Sequence, residues 1–107
     1  MKFAALKSAA ERDLEGAHTY YLNEVGIGVA EKFVEAFAAA IIHLEAFPAS
    51  GSTRYGELLG TPTFRSWPLR GFPYLLFYIE QDEHLDVVRL LHQNSDIFVH
   101  LLNETLN

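Results

Sequence analysis

Apolar side chains in the first half of the chain recur at the spacing of α-helices. A short apolar run at 2–6 predicts a strand, and the spacing from Ser8 to Glu11 is that of a capping box, so a helix is predicted to begin at Ser8. The apolar stripe of this helix continues until GIG at 26–28 interrupts it, and comprises Leu14, Ala17, His18, Tyr21, Leu22 and Val25. A second stripe ends at Phe47-Pro48 and comprises Ala30, Phe33, Val34, Phe37, Ile41 and Leu44. The short break between the stripes favours an antiparallel helical hairpin.

The second half of the chain changes to a loop and then to strand patterns. Residues 48–63 contain three Gly, two Pro, two Ser and three Thr, which is typical of a long loop. Three apolar runs with hairpin-like connections follow at 64–69, 74–80 and 85–91. The middle run has six consecutive apolar or aromatic residues, so we expect that strand to be covered on both faces. A terminal helix is predicted after the last of the three runs, with Ser95 as its cap.

This order of elements predicts an α+β fold in a single domain, residues 1–107. The domain combines a short N-terminal strand, a helical hairpin, an antiparallel sheet and a small C-terminal helix. The sheet is expected to consist of the three-strand meander plus the N-terminal strand. Helices that precede a run of strands argue for two layers, with the apolar stripes of the hairpin against one face of the sheet.

The net charge of −6 narrows the functions open to the chain. Eight Lys and Arg stand against fourteen Asp and Glu, whereas a protein that neutralises many phosphates needs the opposite balance. We therefore expect no direct nucleic-acid binding as its main task. The cations are unevenly spread, because the segment from Arg54 to Tyr78 has three arginines and only Glu57 as an acid. An anionic target would meet this segment.

The sequence lacks the residue patterns of a metal site, a cofactor site or a membrane segment. The chain has no cysteine, its histidines show no HxxxH spacing and no Gly-rich phosphate loop occurs, so we expect neither a metal nor another cofactor. The first residues have no signal-peptide core, and no apolar run approaches the roughly 20 residues of a membrane span. We expect a cytoplasmic protein that does not enter the membrane.

An arginine, a histidine and an aspartate occur together in LDVVRLLHQNSD, residues 85–96. Strand alternation places Arg89 on one face with Val87 and Leu91, where an unpaired guanidinium would be costly. We predict that Arg89 pairs with Asp96, one turn beyond the strand, and that His92 hydrogen-bonds the backbone of the turn. The alternative is that Arg89 contacts a target and that His92 transfers protons, because imidazoles titrate near neutral pH.

Candidates for binding a partner lie in the arginine-rich segment. Arg65 and Trp67 share one face of the first strand of the meander. Pro68 cannot donate to a ladder, which predicts an edge position or a bulge there. The alternatives are a core role for Trp67 and a solvated loop at 54–57. The partner-binding candidates are Arg54, Tyr55, Arg65, Trp67 and Arg70.

Several segments, in their order and spacing, carry a resemblance to a known family. They are AAERDL, Tyr21-Leu22, AEKFVEAFAAAIIHLEAFPASG, FRSWPLRGFPYLLFYIE and LDVVRLLHQNSDI. With them the chain resembles the ParE branch of the RelE/ParE superfamily of toxins from type II toxin-antitoxin modules, from Ser8 to about Leu102. The fold of that family agrees with the one predicted from the residues.

The resemblance implies a toxin, and the superfamily divides by function. RelE-like members cleave messenger RNA on the ribosome, ParE-like members inhibit DNA gyrase, and a cognate antitoxin neutralises both. The RelE pattern uses lysines after the loop, an arginine early in the next strand, and a late arginine and tyrosine. Here no lysine follows Lys32, Tyr74 stands where the arginine is expected, and neither an arginine nor a tyrosine follows His92.

These departures favour an inhibitor of DNA gyrase that acts by binding, rather than an enzyme, with a ParD-like antitoxin as its partner. One alternative is a ribosome-dependent mRNA endonuclease that needs no metal. Its reduced catalytic set would be Arg65, Arg70, Arg89 and His92. The other alternative is a non-toxic protein that binds the antitoxin and represses their shared promoter.

Overall fold

The computed structural model describes residues 2–106, with side chains described as far as residue 103, and has the predicted α+β arrangement. The elements are β1 (Phe3–Leu6), α1 (Ser8–Glu24), α2 (Ile27–Ala46), a 3₁₀ helix (Pro48–Ser50), α3 (Arg54–Leu59), β2 (Phe64–Pro68), β3 (Tyr74–Glu80), β4 (His84–His92) and α4 (Ile97–Leu106). The helical hairpin, the three-strand meander and the terminal helix are confirmed. Gly26, with a φ of 136°, supplies the turn between α1 and α2 that residues with a Cβ rarely adopt.

The sheet is mixed rather than antiparallel. Its strand order is β1-β4-β3-β2, with antiparallel pairs throughout the meander. β1 instead runs parallel to β4, from Phe3 opposite His84 to Leu6 opposite Val87. A parallel pair needs a long crossover connection. The helical hairpin and the first two strands of the meander form that connection, so nothing local obliges β1 to run antiparallel.

The middle strand is covered on both faces, as its apolar run predicts. α1 and α2 cover one face, over a core that includes Phe33, Leu44, Leu76, Tyr78 and Val87. α3 and α4 cover the other face, over a core that includes Phe64, Phe77, Val88, Ile97 and Leu101. Full burial of each such side chain contributes about 1.5–3 kcal/mol, so both layers stabilise the sheet.

A β-bulge in β4 overturns the predicted alternation of its side chains. Phe77 lies opposite Arg89 and Tyr78 opposite Val87, so Val88 is the extra residue. Val87 therefore belongs to the core beneath α1 and α2 together with Leu90. Val88 and Leu91 belong to the core on the other face. The prediction that Arg89 shares a face with Val87 and Leu91 was wrong, because strict alternation does not allow for an inserted residue.

Two predicted helix caps differ from the structure. α1 does begin at Ser8, but its cap position is Lys7 and no side chain caps it. Before α4, the hydroxyl of Ser95 donates to the carbonyl of His92 at 2.7 Å, so it is not the cap. Asp96 has that role, because its Oδ1 accepts from the amide of Val99 at 3.4 Å.

The predicted loop at 48–63 contains regular structure. Its six-residue helix α3 packs Tyr55 and Leu59 against the second core. Gly56 permits this packing, because a Cβ there would lie 2.5 Å from the carbonyl oxygen of Thr61 and 2.6 Å from that of Phe64. A helix this short shows no readable periodicity, and three glycines in the segment gave it the composition of a loop.

Candidate functional site

Arg89 pairs with Asp13 of α1, and the predicted pairing with Asp96 was wrong. Nε of Arg89 donates to Oδ2 of Asp13 at 2.7 Å, and Nη2 donates to Oδ1 at 2.9 Å. The backbone amide of Leu90 also donates to Oδ2, at 3.0 Å. The two side chains are 14% and 16% exposed, so both charges are largely shielded from water. Much of the charge of Arg89 is therefore compensated within the fold.

His92 lies at the joint between β4 and α4. Its Nδ1 accepts the backbone amide of Asn94 at 3.0 Å, which leaves Nε2 to carry the proton of the neutral ring. The ring also packs edge-on against Tyr74, with centroids 5.1 Å apart. These contacts are those of a histidine that orients a turn, and one ring nitrogen is engaged by them.

Arg65 fastens the turn that follows α2. Its Nη1 donates to the carbonyls of Ala49 and Gly51 at 3.1 and 3.0 Å. The hydroxyl of Tyr78 donates to the carbonyl of Pro48 at 2.7 Å and accepts the amide of Gly51 at 3.0 Å. Burial raises the pKa of Tyr78, against smaller lowering effects of the Gly51 hydrogen bond and Arg65. Arg65, one of the predicted partner-binding candidates, thus hydrogen-bonds the backbone of the turn that follows α2.

Trp67 and Arg70 border a groove between α2 and the end of β2, which we call the α2–β2 groove. Its volume is about 450 Å³, and it is lined by Ala36, Ala39, Ala40, His43, Trp67, Pro68, Leu69 and Arg70. The His43 ring stacks on the Trp67 indole with centroids 4.3 Å apart and planes 19° apart. Small alanine side chains of α2 and the stacked rings of His43 and Trp67 give the groove a largely apolar lining.

His43 also lies beside a serine, but the two do not form a nucleophile and its base. The hydroxyl of Ser50 donates to the carbonyl of Phe47 at 2.7 Å. His43 Nε2, 3.0 Å from the same hydroxyl oxygen, therefore donates to it. A nucleophilic serine would direct its proton to the imidazole instead. The contact holds the imidazole flat against Trp67.

A second hollow, the α1–β4 cleft, lies at the joint between β4 and α4. Its volume is about 420 Å³, and its lining includes Arg12, Asp13, Tyr20, Tyr74, Arg89, His92, Ser95 and His100. The four candidate catalytic residues are therefore divided. Arg89 and His92 line this cleft, Arg70 lines the α2–β2 groove, and Arg65 binds the turn after α2.

The remaining candidates, Arg54 and Tyr55, lie on α3. Arg54 is exposed. The Tyr55 ring packs edge-on against Phe77, with centroids 5.3 Å apart, and contacts Phe98. Tyr55 thus belongs to the second core and not to a solvated loop.

Sequence reasoning missed Asp13, although a signal for it exists. Asp13 lies three residues after Ala10 and four before Ala17, both of which are buried. An acid on the buried stripe of a helix needs a partner. His43 carried no local signal, because its neighbour Trp67 is distant in sequence.

The described residues hold no cluster of three His, Cys, Asp or Glu side chains that could bind a metal ion. Within the same part of the chain, none of the helices is long and apolar enough to cross a membrane.

Comparison with known proteins agrees with the fold. One solved structure, of the chromosomal ParDE TA system from P. aeruginosa, superposes with a TM-score of 0.71 at 20% sequence identity, over 86% of this chain and 96% of that chain. No curated protein sequence matches the chain. The model of the family described as ParE toxin of type II toxin-antitoxin system, parDE, matches residues 5–97. The chain therefore belongs to the ParE toxin family of type II toxin-antitoxin systems.

Proposed function

We propose that this toxin acts in the cytoplasm by binding DNA gyrase and inhibiting it, and that a cognate antitoxin neutralises it. The observation that carries the proposal is the separation of the cationic side chains. Arg65, Arg70 and Arg89 lie in three different places, and each has a different neighbourhood. A binding inhibitor needs no convergence of such groups.

RNA cleavage without a metal makes a stricter demand. One group must take the 2′-hydroxyl proton, another must protonate the leaving oxygen, and cations must surround the phosphate. In this chain Arg89 is held by Asp13, and one nitrogen of His92 is engaged by Asn94. This arrangement supports binding over cleavage.

Exposed apolar side chains at the turn of the helical hairpin support a protein target. Tyr20, Val25 and Ile27 are 57%, 57% and 66% exposed, and we call these three residues the hairpin-end patch. Tyr20 and Val25 also line a hollow of about 490 Å³ with Pro73 and Tyr74. Adjacent exposed side chains of this size are typical of a surface that another protein covers.

Expression of the toxin without its antitoxin tests the proposal. We expect growth arrest with double-strand DNA breaks and a DNA-damage response. Purified gyrase, incubated with plasmid and the toxin, should yield linear DNA once detergent denatures the enzyme. Arrest without breaks, or gyrase that keeps its full supercoiling rate, would rule the target out.

The mRNA endonuclease remains a second candidate because of the α1–β4 cleft. Arg12, Tyr74, His92 and His100 line one hollow there. Translating extracts supplied with the toxin would then contain transcripts cut within codons at the ribosomal A site. Intact transcripts in extracts whose gyrase is inhibited would exclude this candidate.

A further inference from the structure

Several hydrogen-bond donors without a partner line the α1–β4 cleft. Arg12 is exposed on α1, and its guanidinium makes no ion pair or hydrogen bond with the described residues. The ring of His100, which lines the cleft from α4, makes no hydrogen bond with that part of the chain either. The same is true of the hydroxyls of Tyr20 and Tyr74. These side chains can therefore donate to an acceptor that comes from outside the chain.

The acid in the cleft does not compensate these donors. Asp13 is the one acid among the described residues that line the cleft. Its Oδ1 accepts from Arg89, and its Oδ2 accepts from Arg89 and from the amide of Leu90. Because both oxygens are already engaged, the remaining donors are complementary to an anionic group, to which charge-assisted hydrogen bonds are the strongest.

The hollow beside the hairpin-end patch adjoins this cleft, and we call it the hairpin-end hollow. It shares Tyr20, Tyr74 and His92 with the cleft, and its own lining includes Val25 and Pro73. One surface therefore runs from apolar side chains at the turn of the helical hairpin to hydrogen-bond donors near α4. An occupant that fits it has an apolar group beside an anionic one.

The charges around the cleft favour a carboxylate of a protein over the phosphates of a nucleic acid. Glu11 and Glu15 are exposed on α1 on either side of Arg12 in sequence. A nucleic acid presents a row of phosphates and needs many cations, so it would be repelled by these acids and by the net charge of −6. A single carboxylate at the cleft needs only the donors that are present.

We propose that the surface of gyrase bound by this toxin presents an acidic residue next to an apolar one. The carboxylate lies in the α1–β4 cleft beside Arg12 and His100, and the apolar side chain lies in the hairpin-end hollow. The inference rests on the proposed function for the identity of the target. It extends the contact from the exposed hairpin-end patch to a polar site that gives the contact its specificity.

The test measures the affinity of the purified toxin for gyrase assembled from both of its subunits. We expect Arg12→Glu to weaken binding by about 10-fold or more, and Arg12→Lys by less than about 3-fold, because lysine keeps the charge. Arg54→Glu, on α3 at the opposite face of the sheet, is the matched control and should also stay within about 3-fold. The effect of Arg12→Glu should shrink at high salt, and circular dichroism checks the folding of each variant.

A crosslink then locates the acid on the target. Tyr20 lines both hollows, so p-benzoylphenylalanine in its place should crosslink to a gyrase subunit when the complex with DNA is irradiated. Replacement of the gyrase acid nearest the crosslink by lysine should weaken the binding of wild-type toxin and restore the binding of Arg12→Glu.

Equal binding of the wild type and Arg12→Glu, or no restoration by the exchanged charges, would overturn the acidic contact and leave gyrase as the target. A crosslink to DNA in place of a subunit would identify a nucleic acid as the occupant and would also overturn it. Wild-type toxin that binds no gyrase would remove the proposed function, and this inference with it.

Discussion

Asp13 and Arg89 form a two-bond fork between the first helix and the last strand. The carboxylate takes 2.7 and 2.9 Å hydrogen bonds from the guanidinium and a 3.0 Å bond from the amide of Leu90. The pairing of β1 with β4 ends at Leu6 opposite Val87. Beyond that point β1 offers no carbonyl to β4, and the Asp13 carboxylate accepts the amide of Leu90 instead. One carboxylate therefore joins the helical layer to the sheet.

Asp13→Ala should destabilise the fold far more than Asp96→Ala. Loss of Asp13 leaves a largely buried guanidinium and a strand amide without their acceptor, at a cost of about 3 kcal/mol. Loss of Asp96 removes one helix cap, which costs about 1 kcal/mol. Urea unfolding of the two variants measures the difference. Equal costs would mean that the fork is not a principal link between the layers.

Tyr78 should make the fold sensitive to alkaline pH. Burial raises its pKa above the ordinary 10.0, so the folded state keeps the proton that the unfolded state releases. The contribution of the Tyr78 proton to the free energy of unfolding is therefore fully present below pH 10. It is lost as the pH rises through the folded-state pKa. The free energy of unfolding at pH 8 and pH 11 should fall more steeply in the wild type than in Tyr78→Phe, which keeps the titrating Tyr21 and Tyr74.

The same Tyr78→Phe variant should be less stable at neutral pH. It loses the hydroxyl that bonds Pro48 and Gly51, at about 1–2 kcal/mol. A variant as stable as the wild type would show that Arg65 alone fastens the turn after α2.

Replacement of two glycines by alanine should change the stability of the fold in opposite directions. A Cβ at Gly56 would meet two carbonyl oxygens at 2.5 and 2.6 Å, so Gly56→Ala should destabilise by about 2 kcal/mol or more. Gly16 lies within α1, where an added Cβ would have no neighbouring atom of the described residues within 4 Å, so Gly16→Ala should stabilise by about 0.5–1 kcal/mol. Thermal unfolding of both variants tests the packing of α3. A stabilised Gly56→Ala would contradict it.

His92→Asn should keep toxicity if the protein acts by binding. The asparagine Oδ1 can replace Nδ1 as the acceptor for the amide of Asn94, but an amide cannot transfer protons at neutral pH. Growth arrest after induction is the measurement, with the circular dichroism spectrum as a check on folding. Loss of arrest in a folded variant would favour the endonuclease.

Val25→Asp should abolish toxicity. Val25 is 57% exposed in the hairpin-end patch, and a carboxylate there would oppose an apolar contact with gyrase. Val99→Asp, at a position 50% exposed on α4, is the matched control. If both variants stay equally toxic, the patch does not bind the target.

The candidate site was predictable only in part. Trp67 and Arg70 were recognisable as partner-binding candidates, because an arginine-rich segment in an acidic chain is a local property. Their groove was not, since its other wall comes from α2, and Ala39 and His43 have no signature of their own. The pairing predicted for Arg89 failed for the same reason, because its acid lies 76 residues earlier in the chain.

The sequence by itself determined the order and type of the long elements, since neighbours at i+3, i+4 or i+2 carry that information locally. It also determined the break between α1 and α2 at Gly26 and the burial of β3 on both faces of the sheet. Only the tertiary structure decided the parallel direction of β1, the bulge at Val88 and the fork between Asp13 and Arg89. Each of these depends on which distant segments meet in space. Local periodicity carries no record of a partner that lies many residues away.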